Sequence, residues 1–250
     1  MPSFKHGAVE IAFLDEGDGE PIVLIHGFAS NKEVNWVQPG WVTTLTAAGR
    51  RVLALDNRGH GQSAKLYDPK DYAIRTMAED ARALLDHLDL PKADVMGYSM
   101  GARITAFLAL DNPERVRSAI LGGLGSALVD GAGLPASIAG ALEAPSSDQV
   151  SDPTGRMFRA FAEHTKSDLR ALAACIRGSR QTLTRAEAAA IRAPTLAAVG
   201  TKDPIAGSPH ELAALLPRGR ALDIPNRDHM LAVGDKVFKA AVLDFLRERP

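Results

Sequence analysis

The run Pro21 to Ile25 (PIVLI) is apolar at every position, and it limits the architecture more than any other stretch of the chain. A strand with one wet face alternates polar and apolar residues. A short run without alternation belongs to a strand covered on both faces. Val52 to Leu55 (VLAL) reads as the next buried strand, and Ala93 to Gly97 (ADVMG) as another. Val9 to Leu14, Val116 to Leu121, Thr195 to Val199 and Ala221 to Ile224 complete the set. Between them lie helical stretches. In Thr76 to Leu88, the residues Met77, Ala81, Leu84, Leu85 and Leu88 share one face and Glu79, Asp80 and Arg82 the other. Ala102 to Leu110 is a helix stopped by Asn112-Pro113. Asp235 caps a last helix with the apolar face Val237, Phe238, Ala241, Val242 and Phe245. Short strands alternating with helices are the pattern of an α/β sheet.

The strand rhythm stops between Gly125 and Ala193. The stretch Ser126 to Asp152 is rich in Gly, Ala, Ser and Pro, and helical segments follow at Arg156 to His164, Asp168 to Arg177 and Arg185 to Ile191. A segment of that length is too long for an ordinary connection, so residues 126–193 read as a helical lid inserted into a core built from 1–125 and 194–250.

With 29 basic against 30 acidic residues and no block of like charge, nothing favours nucleic acid as a partner. No apolar run reaches the length of a bilayer span, and Met1 to Glu10 lacks the apolar core of a signal peptide. The single cysteine, Cys175, leaves no intrachain disulfide and fits a reducing compartment. These observations set the expectation of a cytoplasmic protein without membrane insertion.

Gly97-Tyr98-Ser99-Met100-Gly101 follows the strand ADVMG directly and opens a helix. A sharp strand-to-helix turn projects the serine from the end of the sheet, and small residues at 97 and 101 let strand and helix approach. The helix N-terminus favours negative charge developing there. A serine hydroxyl still needs a base. Of the seven histidines, His229 lies in the polar loop Asn226 to Met230, after a late strand and before the last helix, where a base would follow an acid in chain order. Asp203, just past the strand TLAAV, is the matching acid and would accept the histidine Nδ1 proton. The other strand end available to an acid carries only Gly122-Gly123-Leu124-Gly125. Two backbone N–H groups are needed to hold a developing oxyanion. Met100, after the serine, and Phe28, in the His26-Gly27-Phe28 loop after PIVLI, are the candidates. Asp56 to Ser63 (DNRGHGQS) reads as a structural loop, with Arg58 holding it beside the site through a carboxylate or carbonyl partner.

These motifs (HGF at 26–28, DNRGHGQS at 56–63, GYSMG at 97–101, GTKD at 200–203 and DH at 228–229) occur in the order seen in proteins of the α/β-hydrolase fold, which this chain resembles over nearly its whole length. The resemblance implies a mostly parallel eight-stranded sheet flanked by helices, with a cap over the C-terminal strand ends. It also implies a covalent acyl-enzyme hydrolysed by water, with no metal and no organic cofactor. Ala102 stands where many relatives carry a second glycine. The function expected is a serine carboxylesterase acting on small to medium esters. A thioesterase, a carbon–carbon bond hydrolase and a perhydrolase would use the same triad, and a weakly catalytic ligand receptor would keep the same fold. Phe28, Met100, Leu124, Met157, Phe161 and Met230 are candidate pocket residues, each equally readable as core. The acyl and alcohol preferences and the oligomeric state are not legible.

Overall fold

The computed structural model describes residues 2–131 and 134–248. Positions 1, 249 and 250 of the expected core and 132–133 of the expected insertion lie outside the described residues. The strands are β1 (Ser3–His6), β2 (Val9–Glu16), β3 (Glu20–Ile25), β4 (Arg50–Leu55), β5 (Ala93–Tyr98), β6 (Val116–Gly122), β7 (Thr195–Gly200) and β8 (Gly219–Ile224). They form one sheet in the order β1-β2-β4-β3-β5-β6-β7-β8. The pairs β1/β2 and β2/β4 are antiparallel and every other pair is parallel. The eight-stranded, mostly parallel α/β sheet that the resemblance implied is therefore present.

Why PIVLI is apolar throughout follows from the side-chain period of two. Val23 and Ile25 join one core, with α2 (Ile74–His87) and α3 (Met100–Asp111). Ile22 and Leu24 join the other, with α1 (Trp41–Ala47) and α9 (Lys236–Glu248). Val52 and Leu53 divide in the same way between the two faces.

Between β6 and β7 the chain makes α4 (Ser137–Glu143), α5 (Pro153–His164), α6 (Leu169–Gly178) and α7 (Arg185–Ala189), and α8 (Pro209–Leu215) precedes β8. Local chemistry fixes their starts. Asp152 accepts from the Gly155 N–H with Pro153 at the first helical position, Asp168 accepts from the Ala171 N–H, and Thr184 and Glu187 form a reciprocal capping box. The helix α4 packs on α5 and α6, and α6 packs on the turn Pro69–Tyr72 of the sheet layer.

Two sequence expectations change. Asp80, assigned to the polar face of its helix, is buried, because both its oxygens accept from Arg58 at 2.7 Å. Val237, assigned to the apolar face of the last helix, is exposed. Leu246 completes that buried face with Phe238, Val242 and Phe245.

Candidate functional site

The strand β5 passes into α3 through Ser99, whose backbone sits at φ 55° and ψ −113°. A non-glycine residue there stores on the order of 1–3 kcal/mol of strain, held only because its surroundings leave no alternative. Those surroundings are tight. A Cβ on Gly97 would strike the Gly101 carbonyl, and one on Gly101 would strike the Ile25 carbonyl, so glycine at both positions is what lets β5, α3 and β3 converge.

Two other strand ends bring the partners. The turn after β7 is tied to the loop after β8: the Thr201 N–H donates to the Ile224 carbonyl at 3.0 Å and the Lys202 N–H to the Arg227 carbonyl at 2.9 Å. Asp203 and His229 are thereby brought side by side. His229 Nδ1 lies 2.7 Å from Asp203 Oδ2, and His229 Nε2 lies 2.9 Å from Ser99 Oγ. The second Asp203 oxygen accepts from the Ile205 and Ala206 N–H groups at 2.8 and 3.1 Å, and its side chain is wholly buried. A carboxylate so held is acceptor-only, so Nδ1 of His229 carries the proton and Nε2 faces the hydroxyl as an acceptor.

The loop His26-Gly27-Phe28 borders the serine directly, since a Cβ on Gly27 would stand 3.4 Å from that of Ser99. Asn35 Oδ1 holds the Gly27 N–H at 3.1 Å. Met100 is the first residue of α3, so the helix itself cannot pair its N–H. Among the described residues the Phe28 N–H donates no hydrogen bond. Behind this loop, Arg58 donates to Asp80 and, at 2.8 Å, to the Asp71 carbonyl, which are the carboxylate and carbonyl partners the loop asked for.

Two cavities meet at Ser99. A pocket of about 430 Å³ is lined by Phe28, Tyr98, Phe158, Phe161, His229 and Met230 among others. A smaller one of about 50 Å³ is lined by Phe28, Met100, Arg103, Leu124, Ile176 and Ile205 among others. Phe161 and Met230 therefore line the large pocket, Met100 and Leu124 the small one, and Phe28 both. Met157 lines neither and is exposed. The buried arc of α5 runs through Gly155, Phe158, Arg159 and Ala162; Phe161 stands at its edge and Met157 lies one step further round. Burial pushes the Cys175 thiol up to about 12, so it offers no thiolate to compete with Ser99. Among the described residues no cluster of His, Cys, Asp and Glu is large enough to hold a metal ion. No helix there is long and apolar enough to cross a membrane.

Tyr98 was not anticipated. Its hydroxyl donates to the His229 carbonyl at 2.6 Å, and the two rings lie 5.7 Å apart. Nothing in the motif pattern marks a tyrosine as the anchor of a histidine 131 positions away.

Residues 20–137 match the family model of the alpha/beta hydrolase fold. A hydrolase from Pseudomonas aeruginosa PA01 superposes with a TM-score of 0.76 at 26% identity, covering 95% of this chain and 94% of that one. In sequence, the chain is 42% identical over 113 residues to a dihydrolipoyllysine-residue acetyltransferase component of an acetoin cleaving system from Pseudomonas putida. That match covers 44% of this chain and 29% of the relative. It is 40% identical over 114 residues to a putative non-heme chloroperoxidase from Synechocystis, covering 45% of this chain and 40% of the relative. The chain thus spans less than half the length of the curated relatives it matches. Sheet order, motif order and family model agree: the chain has the α/β-hydrolase fold.

Proposed function

We propose that the protein is a serine hydrolase that cleaves carboxylic esters of small to medium substrates through an acyl-enzyme. The observation that carries this reading is the continuous hydrogen-bonded line from Asp203 through His229 to Ser99, at 2.7 and 2.9 Å, opening on a cavity of about 430 Å³. Ser99 Oγ attacks the ester carbonyl while His229 Nε2 takes its proton. The Phe28 and Met100 N–H groups hold the carbonyl oxygen as it becomes negative. The carbon–oxygen bond to the alcohol breaks, and the alcohol leaves with the proton from His229. Water, deprotonated by the same histidine, then releases the acid and restores Ser99. Asp203 stabilises the imidazolium at each stage without taking its proton.

Residues 126–193 act in this reading as a cap over the core formed by 1–125 and 194–250. Two contacts support it: the Phe28 and Phe158 rings lie 5.9 Å apart, and Thr165 Oγ1 donates to the Ala29 carbonyl at 3.1 Å.

The test is turnover of p-nitrophenyl acetate. Ser99→Ala and His229→Ala should each lower kcat by about 10⁴-fold or more, and the double variant should be little worse than either, because the residues act as a unit. Wild-type activity that survives Ser99→Ala would refute the proposal. A second reading is favoured by the likeness to a protein named a non-heme chloroperoxidase. Hydrogen peroxide in place of water at the acyl-enzyme would give a peracid, read by peroxide-dependent oxidation of added bromide that disappears in Ser99→Ala.

A further inference from the structure

The two cavities at Ser99 differ in size and also in what they contain, and the second difference gives each a role. His229 lines the large cavity and is absent from the walls of the small one. Met100, whose N–H the helix leaves unpaired, lines the small one and is absent from the large. In the ester cleavage proposed above, on which this inference rests, the bond that breaks joins the acyl carbon to the alcohol oxygen. That oxygen must receive the proton His229 took from Ser99, so the alcohol departs on the side where the imidazole stands. The acyl carbon stays bonded to Ser99 Oγ and its chain takes the other side. We infer that the cavity of about 50 Å³ is the acyl site and the cavity of about 430 Å³ the leaving-group site, so that the substrates are short-chain acyl esters of bulky, apolar alcohols or phenols.

The volumes set the limits. A water-sized group needs about 10–15 Å³ by this measure, so the small cavity holds roughly three to five of them, an acetyl to butyryl chain. Its walls do not give easily. Met100, Leu124, Ile176 and Ala206 are all buried. Arg103, on the same wall, donates to the Gln181 and Ala127 carbonyls at 3.0 and 3.2 Å, pinning the connection before α7 to the start of the inserted segment. The large cavity falls in the range that encloses whole small-molecule ligands. Val34, Pro39, Phe158, Phe161, Met230 and Leu231 give it an apolar wall suited to an aromatic or branched alcohol.

Two substrate series separate the sides. With p-nitrophenol fixed as leaving group, kcat/KM should be similar for acetate and butyrate and fall at least about tenfold by hexanoate and again by octanoate, because an added methylene with no room cannot be accommodated. With acetate fixed as the acid, 1-naphthyl acetate should be cleaved at least as well as p-nitrophenyl acetate. Leu124→Ala should raise the hexanoate-to-acetate ratio by about tenfold, since it removes wall from the small cavity only. Phe161→Trp should depress 1-naphthyl acetate relative to p-nitrophenyl acetate and leave the acyl ratio unmoved, since Phe161 lines the large cavity only. Octanoate cleaved as fast as acetate would overturn the assignment, as would an acyl ratio that responds to Phe161→Trp and ignores Leu124→Ala. Wild-type protein that cleaves no ester in either series refutes the proposed function itself, an outcome distinct from a reversed preference.

Discussion

Tyr98 occupies the second position of the G-x-S-x-G motif, and its side chain leaves the strand on the face opposite Val95, joining Met96 in the core under α1 and α9. From there its hydroxyl holds the carbonyl of His229. Burial raises the phenol pKa well above its ordinary value, with the carboxylates of Asp203 and Asp228 adding to it, so the group remains a donor. His229 is thus fixed at three points, its backbone carbonyl and the Nδ1 and Nε2 of its ring. Removing one buried hydrogen bond costs about 0.5–1.5 kcal/mol, and here the loss falls on the placement of the imidazole proposed as base. Tyr98→Phe should therefore lower kcat about threefold to tenfold at nearly constant KM, because the hydroxyl is spent on backbone and not on substrate. Steady-state kinetics check it; a change confined to KM would show that the phenol contacts substrate. That Ser99, Asp203 and His229 would lie together was legible because each follows a strand end and chain order constrains which carboxylate and which histidine can meet. Tyr98 and Asp80 were not, because their partners, the His229 carbonyl and Arg58, are non-local. A sequence period reports which way a side chain points and is silent on what waits there.

At the scale of elements the same division holds. Every interior strand announced itself, β3 and β4 most plainly, where burial on both faces leaves an apolar run. The four-residue β1 at the sheet edge did not, because an exposed, mostly polar SFKH carries no such mark. The helix α4 escaped for another reason: its seven residues lie in a Gly, Ala, Ser and Pro-rich stretch, too short to show a helical period. What holds it is tertiary. Ile138, Ala139, Ala141 and Leu142 are buried, and the Arg159 guanidinium of α5 donates to the carbonyls of Ala141, Leu142 and Ala144 at 3.1, 3.2 and 2.9 Å. Arg159 thus satisfies the open C-terminal carbonyls of α4 from a neighbouring helix and sets its positive charge at the negative end of the dipole. Arg159→Met keeps the packing stem and removes the donors. It should destabilise the α4–α5 pair by about 1.5–3 kcal/mol, the range for buried bonds to a charged group. Hydrogen exchange should speed up in α4 and α5 with β3 to β6 unchanged. Uniform loss of protection across the sheet would show that these helices do not open as a separate unit.

Across the whole molecule, the loops at the strand ends rest on two buried histidines that play no part in the line to Ser99. His26 Nε2 accepts from the Asn57 N–H at 3.0 Å, and its Nδ1 meets the Gly27 carbonyl at 2.7 Å, so the ring is neutral with its proton on Nδ1. His60 Nδ1 meets the Arg58 carbonyl at 2.9 Å, and the rings of His26 and His60 lie 5.2 Å apart. Burial lowers the pKa of both, and for His60 burial and the neighbouring imidazole bring it to about 3, against the pull of the Arg58 carbonyl and Asp56. The unfolded chain restores the ordinary 6.5 for His60. Above about pH 6.5 neither state of that ring is protonated and it adds no pH dependence. Between about 6.5 and about 3 the unfolded state binds a proton that the folded state refuses, so stability is full at the upper end and is lost as the pH falls. Near pH 5 that uptake approaches one proton, or about 1.4 kcal/mol per pH unit from His60 alone. His60→Asn retains a donor for the Arg58 carbonyl and does not titrate. Urea unfolding of wild type and variant at about pH 7, 6 and 5 should therefore give stabilities that converge on acidification, the wild type losing about one proton's worth more per pH unit. The cavity left by the smaller side chain lowers the variant at every pH and does not alter this slope. Parallel curves would mean that His60 takes up its proton in the folded protein, which would require the strand-end loops to admit solvent.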